Sequence, residues 1–153
     1  MATRIKEARR PLYERDFYAW ARDQAALLRA GRFEELDLQN LIEEVDDLGD
    51  SLYRSVRSRV RTIIEHLLKV EGSPARDPRS LWYDTIAVQR ADLADDLTPR
   101  LRARIEAELP KQYGRARAAA DRALRRHGEH AAADALPDAC PYTLDQIAGD
   151  WLP

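Results

Sequence analysis

The sequence predicts an all-α fold, a helical bundle of about four main helices with one of them long, plus a short C-terminal helix. Three observations carry this. Apolar residues recur at steps of three and four through four long segments, the spacing that lines one face of a helix. No segment alternates apolar and polar residues as a half-buried strand does, and neither an internal repeat nor a Gly-rich phosphate loop appears. Gly31, Gly72, Pro74, Pro78 and Pro99 fall between the periodic segments, where the chain must turn.

Residues 1–11 carry Arg4, Lys6, Arg9 and Arg10 with little to bury, and read as a mobile basic tail ahead of one helical domain, 12–153. The first helix is expected from about Glu14 to Ala30, with Tyr13, Phe17, Trp20, Gln24, Leu27 and Leu28 on one face and Gly31 as its stop. The second runs from about 37 to 71. Its row of Leu38, Leu41, Val45, Leu48, Leu52, Val56, Val60, Ile63, Leu67 and Val70 keeps phase across Gly49, so one long helix with a soft point is expected there. Pro78 or Ser80 opens the third, whose inner side is Trp82, Ile86, Gln89, Leu93 and Leu97. Thr98 and Pro99 read as the cap and first-turn proline of the fourth. Its stripe of Leu101, Ile105, Leu109, Gln112, Ala116, Ala120 and Leu124 survives Pro110, which predicts a kink and not a break. Near the end, Thr143 and Gln146 have capping-box spacing, and Tyr142 and Ile147 occupy the positions of a hydrophobic staple, predicting a helix from Leu144 to about Ala148.

Composition narrows the function classes. With 25 Lys plus Arg against 27 Asp plus Glu, the net charge of −2 does not fit a globally basic nucleic-acid binder. Lys occurs only at 6, 69 and 111, so the other 22 cations are Arg, which with the Ala richness reads as a bacterial compositional habit. A single Cys excludes a disulfide within the chain and suits a cytoplasmic location. The apolar runs are far shorter than the roughly 20 residues of a membrane span, so no membrane association is expected.

Several constellations are candidates for chemistry. From Glu34 to Asp50 there are eight acids and no base, whereas residues 99–127 carry nine cations against three acids. Opposite charges of that kind compensate one another when helices lie side by side. Asp37, Asn40 and Glu44 form an acidic edge that is read first as capping and hydrogen bonding, and second as an incomplete oxygen-ligand set for a hard cation. Ser55, Arg59, Thr62 and His66 form a polar seam beside the apolar face, read as a buried network ahead of an anion pocket. Arg54, Arg57 and Arg61 are expected to project away from that face. His127 and His130 are a weak metal pair without a third ligand, and Cys140 has no base beside it in sequence. No catalytic residue, metal or cofactor is therefore assigned.

Tyr13-Glu14-x-Asp16-Phe17-x-x-Trp20, Ala26-Leu27-Leu28-Arg29, Phe33-x-x-Leu36-Asp37-x-x-Asn40-Leu41-Ile42-Glu43-Glu44, Glu65-His66-Leu67-Leu68-Lys69 and Cys140-Pro141-Tyr142-Thr143-Leu144 occur in this order. Together they resemble the bacterial domain-of-unknown-function family number 29, from about residue 12 to 152. That resemblance implies an all-helical fold and brings no activity, substrate or catalytic residue with it. The stretch from His127 to Leu136 departs from the family's usual sequence. The function expected on these grounds is a small helical interaction module that associates with itself, as a homodimer, or with a protein partner. Its large aromatics, Trp20, Tyr53, Trp82 and Tyr113, suit interfaces. Two rivals stand beside it: a nucleic-acid-associated regulator using the basic helix 99–127, and an enzyme or ligand sensor with a pocket around Glu44, Arg59 and His66.

Overall fold

The structure is a computed structural model that describes residues 12–153, and the basic tail assigned to residues 1–11 lies outside them. The described residues form helices and connecting turns with no strand. Residues 12–15 make one helical turn, followed by α1 (Phe17–Arg29), a 3₁₀ turn (Phe33–Glu35), α2 (Leu38–Gly72), α3 (Arg79–Asp96), α4 (Pro99–Arg126), α5 (His130–Asp134) and α6 (Leu144–Ala148). Contacts divide the chain into two compact units, Met1–Ser51 and Leu52–Pro153, and α2 contributes to both.

In the first unit the expected helix from Glu14 is interrupted at Asp16, whose backbone is non-helical and whose side chain caps a fresh start by accepting from the Ala19 N–H at 2.9 Å. A capping side chain thus overrides a continuous apolar pattern. Gly31 ends the helix with φ of +68°, a left-handed conformation that a Cβ would strain. Trp20, Leu27 and Leu36 are buried here, and Tyr13, Phe17 and Trp20 meet ring to ring at centroid distances of 4.8 to 5.8 Å.

In the second unit α2 supplies a core row of Tyr53, Val56, Val60, Ile63, Ile64, Leu67, Leu68 and Val70. Against it lie Ile86 and Leu93 of α3 and Ile105, Tyr113, Ala116, Ala120 and Leu124 of α4. Thr98 caps α4, with Pro99 in the first turn, and the helix continues through Pro110. Gly128, at φ +78°, separates α4 from α5, a short helix that sequence periodicity did not show. The C-terminal segment lids this core. The capping box of Thr143 and Gln146 is present, and Tyr142, Leu144 and Ile147 are buried. Arg90 of α3 holds the segment by donating from Nε to the Ile147 carbonyl (2.9 Å) and from Nη2 to those of Gln146 and Trp151 (both 2.7 Å).

The apolar row of α2 is not buried throughout: Leu38, Val45 and Leu48 are 50, 62 and 72% exposed, and Ile42 beside them is 59% exposed.

Candidate functional site

The acidic edge is built around Asp37, the residue before α2. Its buried carboxylate accepts from the Trp20 indole N–H at 3.3 Å and from Asn40 Nδ2 at 2.7 Å. Its own backbone N–H donates to Gln24 Oε1 at 2.8 Å. Gln24 explains itself this way: a polar residue in the apolar face of α1 is there to accept the bond of a helix start. Glu44 does not join this set. It accepts from the Tyr13 hydroxyl at 2.5 Å, and that bond, with the negative field of Glu43, Glu44 and Asp47, pushes the phenol's pKa up to about 12. The edge is thus split into two hydrogen-bonded pairs, with Asp37 Oδ2 and Glu44 Oε1 each already accepting, a poor starting point for a cation site.

The polar seam also divides. Arg59 bonds the Ser55 hydroxyl four residues back on its own helix and reaches α3 through Asp96 (3.3 Å) and Asp92 (3.5 Å). His66 donates from Nδ1 to the Thr62 carbonyl at 2.8 Å, and half-burial holds its pKa below the ordinary value of 6.5. The Thr62 hydroxyl is turned to the Ser58 carbonyl at 3.1 Å. Arg59 and His66 belong to one unit and Glu44 to the other, and each has its own partners.

A larger network was missed. The Tyr53 hydroxyl donates to Glu108, which also accepts from Gln112 Nε2 at 3.1 Å and pairs with Arg104 at 3.5 Å. The Arg104 guanidinium stacks 3.5 Å from the centre of the Tyr53 ring, with Arg57 at 5.2 Å. Arg61 Nε donates to Gln112 Oε1 at 2.6 Å. Arg57 and Arg61 therefore do not project outward as expected, because tyrosine and a fully buried glutamine attract them inward. The Tyr53 hydrogen bond, ahead of the arginine, holds Glu108 below the usual carboxylate range. The legible signal was Gln112 itself, a polar side chain in the middle of the apolar stripe of α4.

The remaining candidates are dispersed. His127 caps the end of α4 and His130 opens α5, so Gly128 places them on two helices and not one face. Cys140 donates weakly to the Tyr142 carbonyl at 3.4 Å, and burial pushes its thiol pKa up, away from nucleophilic range. Among the described residues no group of three or more His, Cys, Asp and Glu is placed to hold a metal ion. No helix among them is long and apolar enough to cross a membrane.

These features define an all-helical protein whose polar networks join helix to helix. The family model described as domain of unknown function DUF29 matches residues 12–152, and the chain belongs to that family. No curated protein and no solved structure matches the chain.

Proposed function

We propose that the protein is a helical interaction module that receives an amphipathic helix of a protein partner on the first half of α2. The observation that carries this is the open row of Leu38, Ile42, Val45 and Leu48, each at least 50% exposed. At 100° per residue the four fall within an arc of about 120°, the width of a helix-packing face. Gln39, Glu43, Asp46 and Asp50 follow along one edge of that arc, while the other edge carries Glu44. A second copy placed on this row by a two-fold axis sets acid against acid, which weighs against the homodimer and favours a partner helix with Lys or Arg beside its apolar stripe. The single half-buried free thiol and the Arg and Ala richness fit a bacterial cytoplasmic setting.

The rival readings have less support. In the basic helix Arg102, Arg104, Arg117 and Arg125 are each engaged by a carboxylate of their own unit, which leaves less charge for a nucleic-acid backbone. Arg59 is held by Ser55, Asp92 and Asp96, and His66 by the Thr62 carbonyl, so both are already engaged within their own unit.

The test is fluorescence anisotropy of a labelled synthetic helix of about four turns, with leucines at helical spacing and lysines along one edge, titrated with the full chain. Saturable binding is expected, weakened at least tenfold by Ile42→Ser with Val45→Ser and lowered by salt. Circular dichroism confirms that the variant stays helical. Equal binding by wild type and variant overturns the docking face. Self-association by light scattering that the same double variant abolishes assigns the face to a second copy instead.

A further inference from the structure

An open groove of about 420 Å³ runs between α2 and α4 in the second unit, lined by Ser58, Arg61, Glu65, Arg115 and Arg122 over a floor that includes Ala116. Three guanidinium side chains face one carboxylate here, and that carboxylate is already engaged, since Glu65 bonds Lys69 at 2.5 Å. Arg61 spends its Nε on Gln112, but its Nη2 is buried and has no acceptor among the described residues. A charged donor removed from water without a partner is unfavourable, so its native environment needs an acceptor that the neighbouring side chains do not provide. The surroundings aggravate this: after burial itself, the nearby Arg57 and Arg115 push the Arg61 pKa down.

We propose that this groove binds a small phosphate-bearing molecule, its phosphate held by Arg61, Arg115 and Arg122. Guanidinium groups match phosphate because their planar forks donate paired N–H bonds to two oxygens, and a doubly charged anion offsets the unmatched cations better than a single carboxylate does. The small residues on the α4 side, Ala116, Ala118 and Ala119, leave room for the rest of the molecule. The size of the ligand follows from the groove's limits. Glu65 is the one carboxylate in the lining, and Arg102, Arg104, Arg117 and Arg125 elsewhere on α4 are paired with carboxylates, which interrupts the basic track that a nucleic-acid strand would follow. The site is independent of the docking row on the first half of α2.

The experiment is calorimetric titration of the full chain with inorganic phosphate and with pyrophosphate at constant ionic strength. Thermal unfolding in each anion runs alongside it, because a ligand that binds only the folded state raises the melting temperature. Saturable binding of one anion per chain is expected, with chloride at the same ionic strength giving no such transition. Arg115→Gln and Arg122→Gln, both at exposed positions, should each weaken it at least tenfold while leaving the helical spectrum unchanged. Arg115→Lys should keep part of the affinity, and Arg100→Gln, outside the groove, should keep all of it. Arg61→Gln is informative only with those companions, since it also removes the bond to Gln112. Absence of saturable binding by both phosphates overturns the proposal. So does wild-type affinity in Arg115→Gln and Arg122→Gln. Binding only of a DNA duplex, with an affinity that falls steeply with salt, would assign the cations to a nucleic-acid surface instead.

Discussion

Thr143→Ala removes one acceptor from the start of α6, and its cost can be worked from the geometry. Thr143 Oγ1 accepts from the Gln146 N–H at 3.2 Å, and Gln146 Oε1 accepts in return from the Thr143 N–H at 2.9 Å. Alanine leaves the return bond possible but orphans the Gln146 N–H, a loss of about 0.5 to 2 kcal/mol, with 1 typical of such caps. The helix has 5 residues, far below the length at which a helix holds itself together, so its survival depends on the cap and on docking. Docking remains strong: Leu144 and Ile147 are buried, and Arg90 and Arg102 still hold the segment. The loss should therefore appear in global stability as well as locally, at about 2 to 4 °C in melting temperature per kcal/mol for a chain of this size. Chemical denaturation gives the energy, and amide exchange across residues 144–148 gives the local opening. Thr143→Ser should stay within a few tenths of a kcal/mol of wild type, and Ile147→Ala, which empties a fully buried site, should cost about 2 to 5 kcal/mol. If Thr143→Ala matches Thr143→Ser in both stability and exchange, the cap contributes nothing and the reasoning fails.

Gly49 lies inside α2, where an added Cβ meets no described atom within 4 Å, so Gly49→Ala should stabilise by about 0.5 to 1 kcal/mol in a urea melt. Arg59→Ala should cost only about 1 kcal/mol, because Asp92 and Asp96 are 51 and 32% exposed and recover hydration; a loss of several kcal/mol would show that the pair is more deeply shielded than its exposure implies. His66 has a pKa below 6.5 when folded, so the unfolded chain takes up its proton more readily, and stability should decline as pH falls below about 6.5. Denaturant midpoints at pH 7.5 and 5.5 should differ less in His66→Gln than in wild type. The Tyr13 phenol, raised to about 12, retains its proton when the unfolded chain has lost it near 10, so its contribution is complete below pH 10 and disappears between 10 and 12. Tyr113 and Tyr142 also ionise late, and ultraviolet titration should show one of the late-ionising tyrosines moving to lower pH in Glu44→Gln.

The helices were readable where packing and local chemistry agree. Thr98 with Pro99, and Thr143 with Gln146, name their helix starts in four residues or fewer, and both starts are found. The long phase-preserving row of α2 is likewise one helix through Gly49. Periodicity failed where another term was stronger: the Asp16 side chain restarts α1, and Gly128 divides His127 from His130. Periodicity also reports which face is apolar but not whether anything covers it, and so the open row from Leu38 to Leu48 was indistinguishable from the buried row after it. For the polar residues, spacing along one helix placed Arg59 and His66 side by side, but their partners come from α3 and from the Thr62 carbonyl. Partners on another helix are invisible to a one-helix projection. The better signal lay in Gln24 and Gln112, two polar residues in apolar stripes, each of which proves to organise a network.

The grip of Arg90 on carbonyls 56 to 61 residues further along the chain has a bearing on the order of events during synthesis. Contacts between residues so far apart form late, since the intervening chain must first be closed into a loop. Until the ribosome has passed Trp151, the helices that Tyr142, Leu144 and Ile147 will seal have an open apolar side. A nascent or prematurely terminated chain therefore spends that interval as a sticky intermediate, with Arg90 still without its carbonyl acceptors. Translation pausing between these two positions should lengthen the window for aggregation, whereas the finished chain closes it with one side chain and three carbonyls.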